Sequence, residues 1–312
     1  MNEVLPLLIG GLTLFLYAIT RLSEVMKAIF SDNATRIIQQ YTSNLYVAIL
    51  LGTFLTVLLG SSSAVIILVI VFINAESLSF KNAIGLIMGA NIGTTVSSQL
   101  IALDIGAYAI YPLFVGLLFE IFVKNKQWKQ FGRFLFYFGM LFFGLFLMEQ
   151  SVSPLRDSEM FPRWIARAEG NPLAGALIGG LTTVMIQSSS GTVGIAIVLG
   201  KQQLLSVAGG IAIMLGAELG TCSDTLIATL NGSRQALKAG LFHFSFNLIT
   251  ITIGLVTFHP FVAIVERISS TSDIGKIIAN AHVSFNLLGV LLFVPFVHLM
   301  AKGLNKLIPE KQ

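Results

Sequence analysis

Two serine triplets interrupt apolar stretches of this chain. Ser61, Ser62 and Ser63 stand in "GSSSA", and Ser188, Ser189 and Ser190 follow Gln187 in "QSSSG". A hydroxyl carries two lone pairs and one donatable proton, so such a cluster supplies uncharged oxygens to a hard cation such as sodium and donors to an oxyanion. Where a triplet breaks a helix, the carbonyls closing one half and the amides opening the next add partial charges of opposite sign. That pairing suits a cation and an anion held side by side. Nucleophilic hydrolysis is not expected of these serines: neither triplet lies in a G-x-S-x-G turn, and His243 and His282 have no obvious carboxylate orienter nearby.

A second pair of stretches adds further polar groups. "GLIMGANIGTTVSSQLIAL" (Gly85 to Leu103) contributes Asn91, Thr94, Thr95, Ser97 and Ser98, and "AIMLGAELGTCSDTLIATL" (Ala212 to Leu230) contributes Glu218, Thr221, Ser223 and Asp224. Facing inward, they would complete a site with the triplets, while the glycines between them let helices approach closely. Glu218 and Asp224 are acids within a spanning segment, each a cation ligand or a protonatable group; Asp224 reads equally as an interfacial carboxylate. Glu120, near the end of its helix, reads as interfacial. His243 and Asn247 in "HFSFN", and His282 and Asn286 in "HVSFN", stand four apart on one helical face. An interhelix hydrogen bond is the expectation for both.

The elements that must position these groups are helices in lipid. Of 312 residues, 55% are hydrophobic and 11% charged, with a mean hydropathy of +0.84, where about a quarter charged is usual for a soluble domain. Runs of spanning length fall at Val4 to Thr20, Asn82 to Leu103, Ala107 to Val123, Phe131 to Met148, Leu204 to Leu230, Ala239 to Phe258 and Lys276 to Met300. The start, "MNEVLPLLIGG", has no basic region ahead of its apolar run and reads as a first spanning helix, not a cleaved signal. The single cysteine, Cys222, excludes an intramolecular disulfide and any multi-cysteine metal site. The partner is the lipid bilayer; nothing points to nucleic acid, and assembly into a homo-oligomer is left open.

The chain repeats itself. At an offset of 127 residues, Gly52 to Leu103 matches Gly179 to Leu230 without a gap, with 16 identities in 52 positions clustered on polar and glycine residues. In each copy the triplet divides two pieces too short to span, Leu45 to Leu59 with Ala64 to Ile73, and Leu173 to Ile186 with Gly191 to Leu199. Each pair reads as a re-entrant helical hairpin. The expected fold is therefore an all-α integral membrane protein with an inverted-topology repeat and two re-entrant helical hairpins. Residues 1–130 form repeat 1, residues 131–258 repeat 2, and residues 259–312 an external loop and a C-terminal transmembrane helix. With the N-terminus outside and the C-terminus cytoplasmic, one face collects 13 of the 19 basic residues, the asymmetry expected of the cytoplasmic side. Hairpin one then opens from the cytoplasm and hairpin two from outside, and Glu149 to Asn171 becomes an external linker.

At these residues the sequence resembles the type II sodium-dependent phosphate cotransporter family, marked by two QSSS repeats, a GANIGTT-like stretch after each and a later His-x-x-Phe-Asn helix. The resemblance runs over nearly the whole chain in order. It implies a secondary transporter of a bacterial inner membrane, not an enzyme, taking up inorganic phosphate with sodium as the coupling ion and no cofactor. Carried over by position, Ser61 to Ser63 and Gln187 to Ser190 would contact phosphate and sodium, with Asn91, Thr94, Thr95 and Thr192 as further candidates and Glu218 and Thr221 at the matching places of the second copy. Sodium would lie on the Ser, Thr and Asn oxygens and on backbone carbonyls. Gly60 departs from the pattern where a glutamine is expected, and Glu218 puts a carboxylate where an amide would sit. An alternative cargo is another oxyanion or a small carboxylate, since serine-rich hairpin tips also occur in the glutamate transporters.

Overall fold

The computed structural model describes residues 4–103, 105–152, 171–230 and 232–309. Among them all regular structure is helical. The order is α1 (Val4–Tyr41), α2 (Leu45–Leu59), α3 (Ser62–Asn74), α4 (Phe80–Ala102), α5 (Ile110–Phe122), α6 (Lys126–Val152) and α7 (Pro172–Ile186). There follow α8 (Ser189–Lys201), α9 (Val207–Gly220), α10 (Cys222–Thr229), α11 (Arg234–Val256), α12 (Phe258–Ser269), α13 (Ile274–Phe293) and α14 (Val297–Leu307). Among the described residues six helical spans are long and apolar enough to cross a membrane, and large apolar side chains such as Leu50, Phe122, Met185 and Val256 lie exposed on the outside. So broad an apolar exterior is at home only in lipid. The chain is a multi-pass membrane protein.

The short helix pairs α2–α3 and α7–α8 are built by the same devices at positions 127 apart. Asn44 and Asn171 cap α2 and α7, each accepting from the two amides that open its helix. Gly60 (φ 62°) and Gln187 (φ 54°) then end those helices in the left-handed region. The next residue, Ser61 or Ser188, is extended and turns its Oγ onto the amide three residues on, Ala64 at 3.2 Å and Gly191 at 3.0 Å. Ser79 and Ser206 cap α4 and α9 in the same manner.

Packing repeats as faithfully as capping. α2 lies along α4, and α7 along α9, with backbone against backbone at glycines. A Cβ on Gly52 would collide with the Leu86 carbonyl, and one on Gly179 with that of Ile213; Gly89 meets the Ile49 carbonyl in the same way, and Gly216 that of Ala176. Each second contact is the first moved by 127 residues.

Beyond this unit the copies part. α5 packs on α6 at the edge of the molecule, with Gly116 against the Phe136 backbone. Its counterpart by offset, α11, runs through the interior against α3, α4, α9 and α10. The place that mirrors α11, against α8 and α4, is filled by α13. Two differences from the sequence reading lie near here. The stretch expected as an external loop is helical from Phe258 to Ser269, because Phe258 and Val265 give it one buried side while Glu266 and Arg267 stay exposed. The expected helix from Lys276 to Met300 is interrupted at Val294–Phe296, where Pro295 has no amide to donate. Of the linker expected from Glu149 to Asn171, Glu149 to Val152 instead continue α6 and Asn171 caps α7, and residues 153–170 lie outside the described residues.

Because the glycine seams have no room for a side chain, Gly89→Ala and Gly216→Ala should each destabilise the protein by about 1–3 kcal/mol or more. Gly10→Ala, where nothing lies within 4 Å of the added carbon, should stay within about 0.5 kcal/mol of the parent. Thermal unfolding in detergent micelles measures all three.

Candidate functional site

α4 turns its glycines to α2 and its polar residues to α11 and α13, and a buried hydrogen-bond network results. Ser98 Oγ lies 2.6 Å from His282 Nδ1, and Thr225 Oγ1 lies 2.9 Å from His243 Nδ1. Ser98 and Thr225 are the same position in the two copies, so each copy presents one hydroxyl to one histidine. The other ring nitrogens differ. His282 Nε2 lies 2.7 Å from Glu218 Oε1, whereas His243 Nε2 accepts from Asn247 Nδ2 at 3.1 Å. Asn247 also donates to the Glu218 carbonyl at 3.1 Å, and its Oδ1 accepts from Asn91 Nδ2 at 2.6 Å. With Nε2 accepting, His243 is the Nδ1–H tautomer and donates to Thr225, which passes its own proton to the Cys222 carbonyl at 3.0 Å. His282 and Asn247 thus each tie α4 of one copy to α9 of the other.

The serine triplets divide their work. Ser61 and Ser188 are caps. Ser63 Oγ donates to Asp224 Oδ2 at 3.1 Å, joining the first break to α10 of the second copy, and Ser223 donates to the other carboxylate oxygen. Ser62, Ser189 and Ser190 are buried and cap nothing. Gln187 is exposed and folds its amide back onto the Val184 carbonyl. No hydrogen bond among the described residues joins one triplet to the other. Thr94, Thr95 and Thr221 donate to carbonyls of their own helix, at Ala90, Ile92 and Ala217, which leaves only lone pairs to offer a ligand. A cavity of about 220 Å³ reaches the first break at Gly60 and Ser97, and one of about 210 Å³ lies between α7, α8 and α9 against Thr182 and Thr192; apolar side chains make up most of both linings. Among the described residues no three His, Cys, Asp or Glu side chains gather to hold a metal.

The copies differ inside the short helix pairs too. Thr183 Oγ1 donates to Thr192 Oγ1 at 2.8 Å, and Thr192 to the Ser188 carbonyl at 3.2 Å. In the first copy Val65 stands at the place of Thr192, and the buried hydroxyl of Thr56, counterpart of Thr183, has no partner among the described residues.

Two stretches of this chain, residues 14–150 and 154–294, match the Na+/Pi-cotransporter family. The chain belongs to that family. It is 27% identical over 308 residues to the protein YqeW of Bacillus subtilis, covering 98% of this chain and 99% of that one. It is 26% identical over 263 residues to the Putative inorganic phosphate export protein YjbB of Salmonella typhimurium, over 83% of this chain and 48% of the relative. It therefore spans about half the length of that relative. To the Sodium-dependent phosphate transport protein 2B of Homo sapiens it is 29% identical over 134 residues, over 40% of this chain and 19% of the relative. No solved structure matches it significantly. The family is one of transporters.

Sequence reasoning expected interhelix bonds from His243 and His282 but missed their partners. The signal was present: Ser98 and Thr225 are 127 apart, as are Asn91 and Glu218, and both pairs are polar in an apolar helix. The expectation that neither histidine has a carboxylate beside it fails at His282, because Glu218 is remote in sequence and arrives on a different helix. Ser98, His282 and Glu218 form a hydroxyl–imidazole–carboxylate row, but Ser98 is 0% exposed.

An unpartnered buried hydroxyl costs about 1–3 kcal/mol. Thr56→Val should therefore leave the melting temperature unchanged or raise it, whereas Thr183→Val, which breaks a made bond, should lower it. Parallel unfolding of both variants in one detergent is the check.

Proposed function

We propose that the chain is a secondary transporter that carries inorganic phosphate together with sodium. What supports this above all is the identical construction of two helix breaks at serine triplets, in a chain whose two halves each match a sodium–phosphate cotransporter family. Beyond the caps, the first amides of α3 and α8 are the donors an oxyanion needs. The last carbonyls of α2 and α7, with the hydroxyls of Ser62, Ser63, Ser189 and Ser190, are oxygens for sodium. The threonines at 94, 95 and 221, having spent their protons, fit the cation and not the anion.

In this reading each short pair is a re-entrant hairpin and the two copies are inverted. Each copy makes three crossings, so the second begins on the opposite face. The N-terminus lies outside and the C-terminus in the cytoplasm, the sense that the basic residues favour. Non-helical backbone at membrane depth is tolerated only where protein or water surrounds it. Rocking of one copy against the other would expose the breaks alternately. Uptake and export are one cycle run in opposite senses, set by the larger gradient, which accommodates both names carried by the relatives.

The matched positions Ser62 and Ser189 give a clean test, because neither is a cap. Proteoliposomes should take up labelled phosphate at least tenfold faster with an inward sodium gradient than in potassium, and Ser62→Ala or Ser189→Ala should remove most of that difference. Equal uptake in potassium would defeat the coupling, and stronger competition by sulfate or a small carboxylate than by unlabelled phosphate would change the cargo.

A further inference from the structure

Glu218 is a carboxyl group only 4% exposed in the interior of a membrane protein, and His282, 0% exposed, is the ion-pair partner that the described residues give it. The position matters as much as the burial. By the repeat, Glu218 occupies the place of Asn91, an uncharged amide that bonds to Asn247. The first copy thus keeps this place neutral, and the second puts a titratable pair there.

We propose that Glu218 and His282 together form a proton-binding site, and that this proton moves with the transported anion. The proposal rests on the phosphate-transport reading above and adds to it a second coupling ion. A carboxylate in so apolar a setting must be paired or protonated, and an N···O separation of 2.7 Å is that of a charge-assisted bond. One proton lies in the bond between Glu218 Oε1 and His282 Nε2 in either state; with a second on Nδ1, the pair is neutral overall, as imidazolium with carboxylate or as imidazole with carboxylic acid. Without it, the pair carries one negative charge. Ser98 serves both states: its hydroxyl accepts from Nδ1–H when the second proton is there and donates to Nδ1 when it is not. One N–H or O–H bond forms as the proton is taken from water on one side and breaks as it is returned to water on the other.

The site is mechanically joined to the anion route. Gly220, two residues after Glu218, packs on Thr183; Thr183 bonds Thr192, and Thr192 bonds the Ser188 carbonyl at the second break. An anion arriving at that break is repelled by the negative form of the pair and not by the neutral one, so anion binding favours proton uptake. By linkage, the proton favours the anion equally.

Other charged groups around α9 and α13 do not duplicate this role. His243 and Cys222 belong to the same network, but His243 is held by Asn247 and Thr225 without a carboxylate, and Asp224 is engaged with Ser63 and Ser223. Lys238 on α11 lies more than a turn before His243. α7 carries no titratable side chain, α4 only Lys81 in its first turn, and α8 only Lys201, which pairs with Glu149 at the end of its helix. On α12, His259, Glu266 and Arg267 are exposed.

The test reads protons moved per phosphate, a ratio insensitive to turnover rate, in proteoliposomes with a trapped pH dye and labelled phosphate. Wild type should exceed Glu218→Gln and His282→Gln by about one proton per phosphate, at every external pH between about 5 and 9. An unchanged ratio in Glu218→Gln overturns the proposal. Infrared difference spectra of the detergent-solubilised wild type, taken across the same pH range, test the site without transport: a protonation band of the buried pair, carboxyl or imidazolium, should appear on acidification and be missing from Glu218→Gln. If wild type moves no phosphate but shows the band, the transport reading fails and the proton site stands. Absence of the band from wild type removes the site whatever the transport result.

Discussion

A helix that stops leaves amides and carbonyls without helical partners, and inside a bilayer no water replaces them; in the proposed reading this constraint governs the architecture. Each of the two breaks answers it with a left-handed residue that ends one helix and a serine that caps the next. The cap satisfies one amide and leaves its neighbours available. A local solution to backbone desolvation therefore produces, at the same spot, the donors and acceptors from which an ion site can be made.

The rest of the core is arranged around keeping those breaks in place. Glycine seams hold α2 to α4 and α7 to α9 at backbone distance, and the polar faces of α4, α9 and α10 are then closed by α11 and α13 through His243, Asn247 and His282. Apolar clusters cross the junction between the copies, Phe15 and Ile101 with Val193 and Ile197 in one and Ile84 and Leu86 with Phe242 and Phe246 in the other, and the hydrogen bonds of Asn247 and His282 are added to them. The two kinds of contact differ in character: dispersion at close range fixes a register, while a hydrogen bond can be exchanged for another of similar strength.

Much of this was legible in the sequence, because the properties involved are local. The arms Leu45 to Leu59 and Leu173 to Ile186 stand almost as expected, and the triplets mark the breaks because serine caps and glycine ends helices for reasons that need no tertiary context. The second arms begin earlier than their apolar runs, at Ser62 and Ser189, since the cap lies inside the triplet. What a sequence could not show was partnership at a distance. Glu218 and His282 are 64 residues apart, and only the fold brings α13 to α9. Gly60 illustrates the converse: missing a side chain relative to Gln187, it looked like a defect in the site, yet its position demands a left-handed backbone that glycine adopts without strain.

The glycine seams have a further implication for motion. Two helices in contact through their main chains cannot ratchet past one another, because every step along the axis would drive a side chain into a carbonyl. Each seam therefore makes a first arm and its neighbouring long helix a single rigid lever. Freedom to reorient is left to the second arms, to α11 and α13, and to the hydrated or exchangeable contacts that link them, so the gearing of the molecule is written in where it lacks side chains.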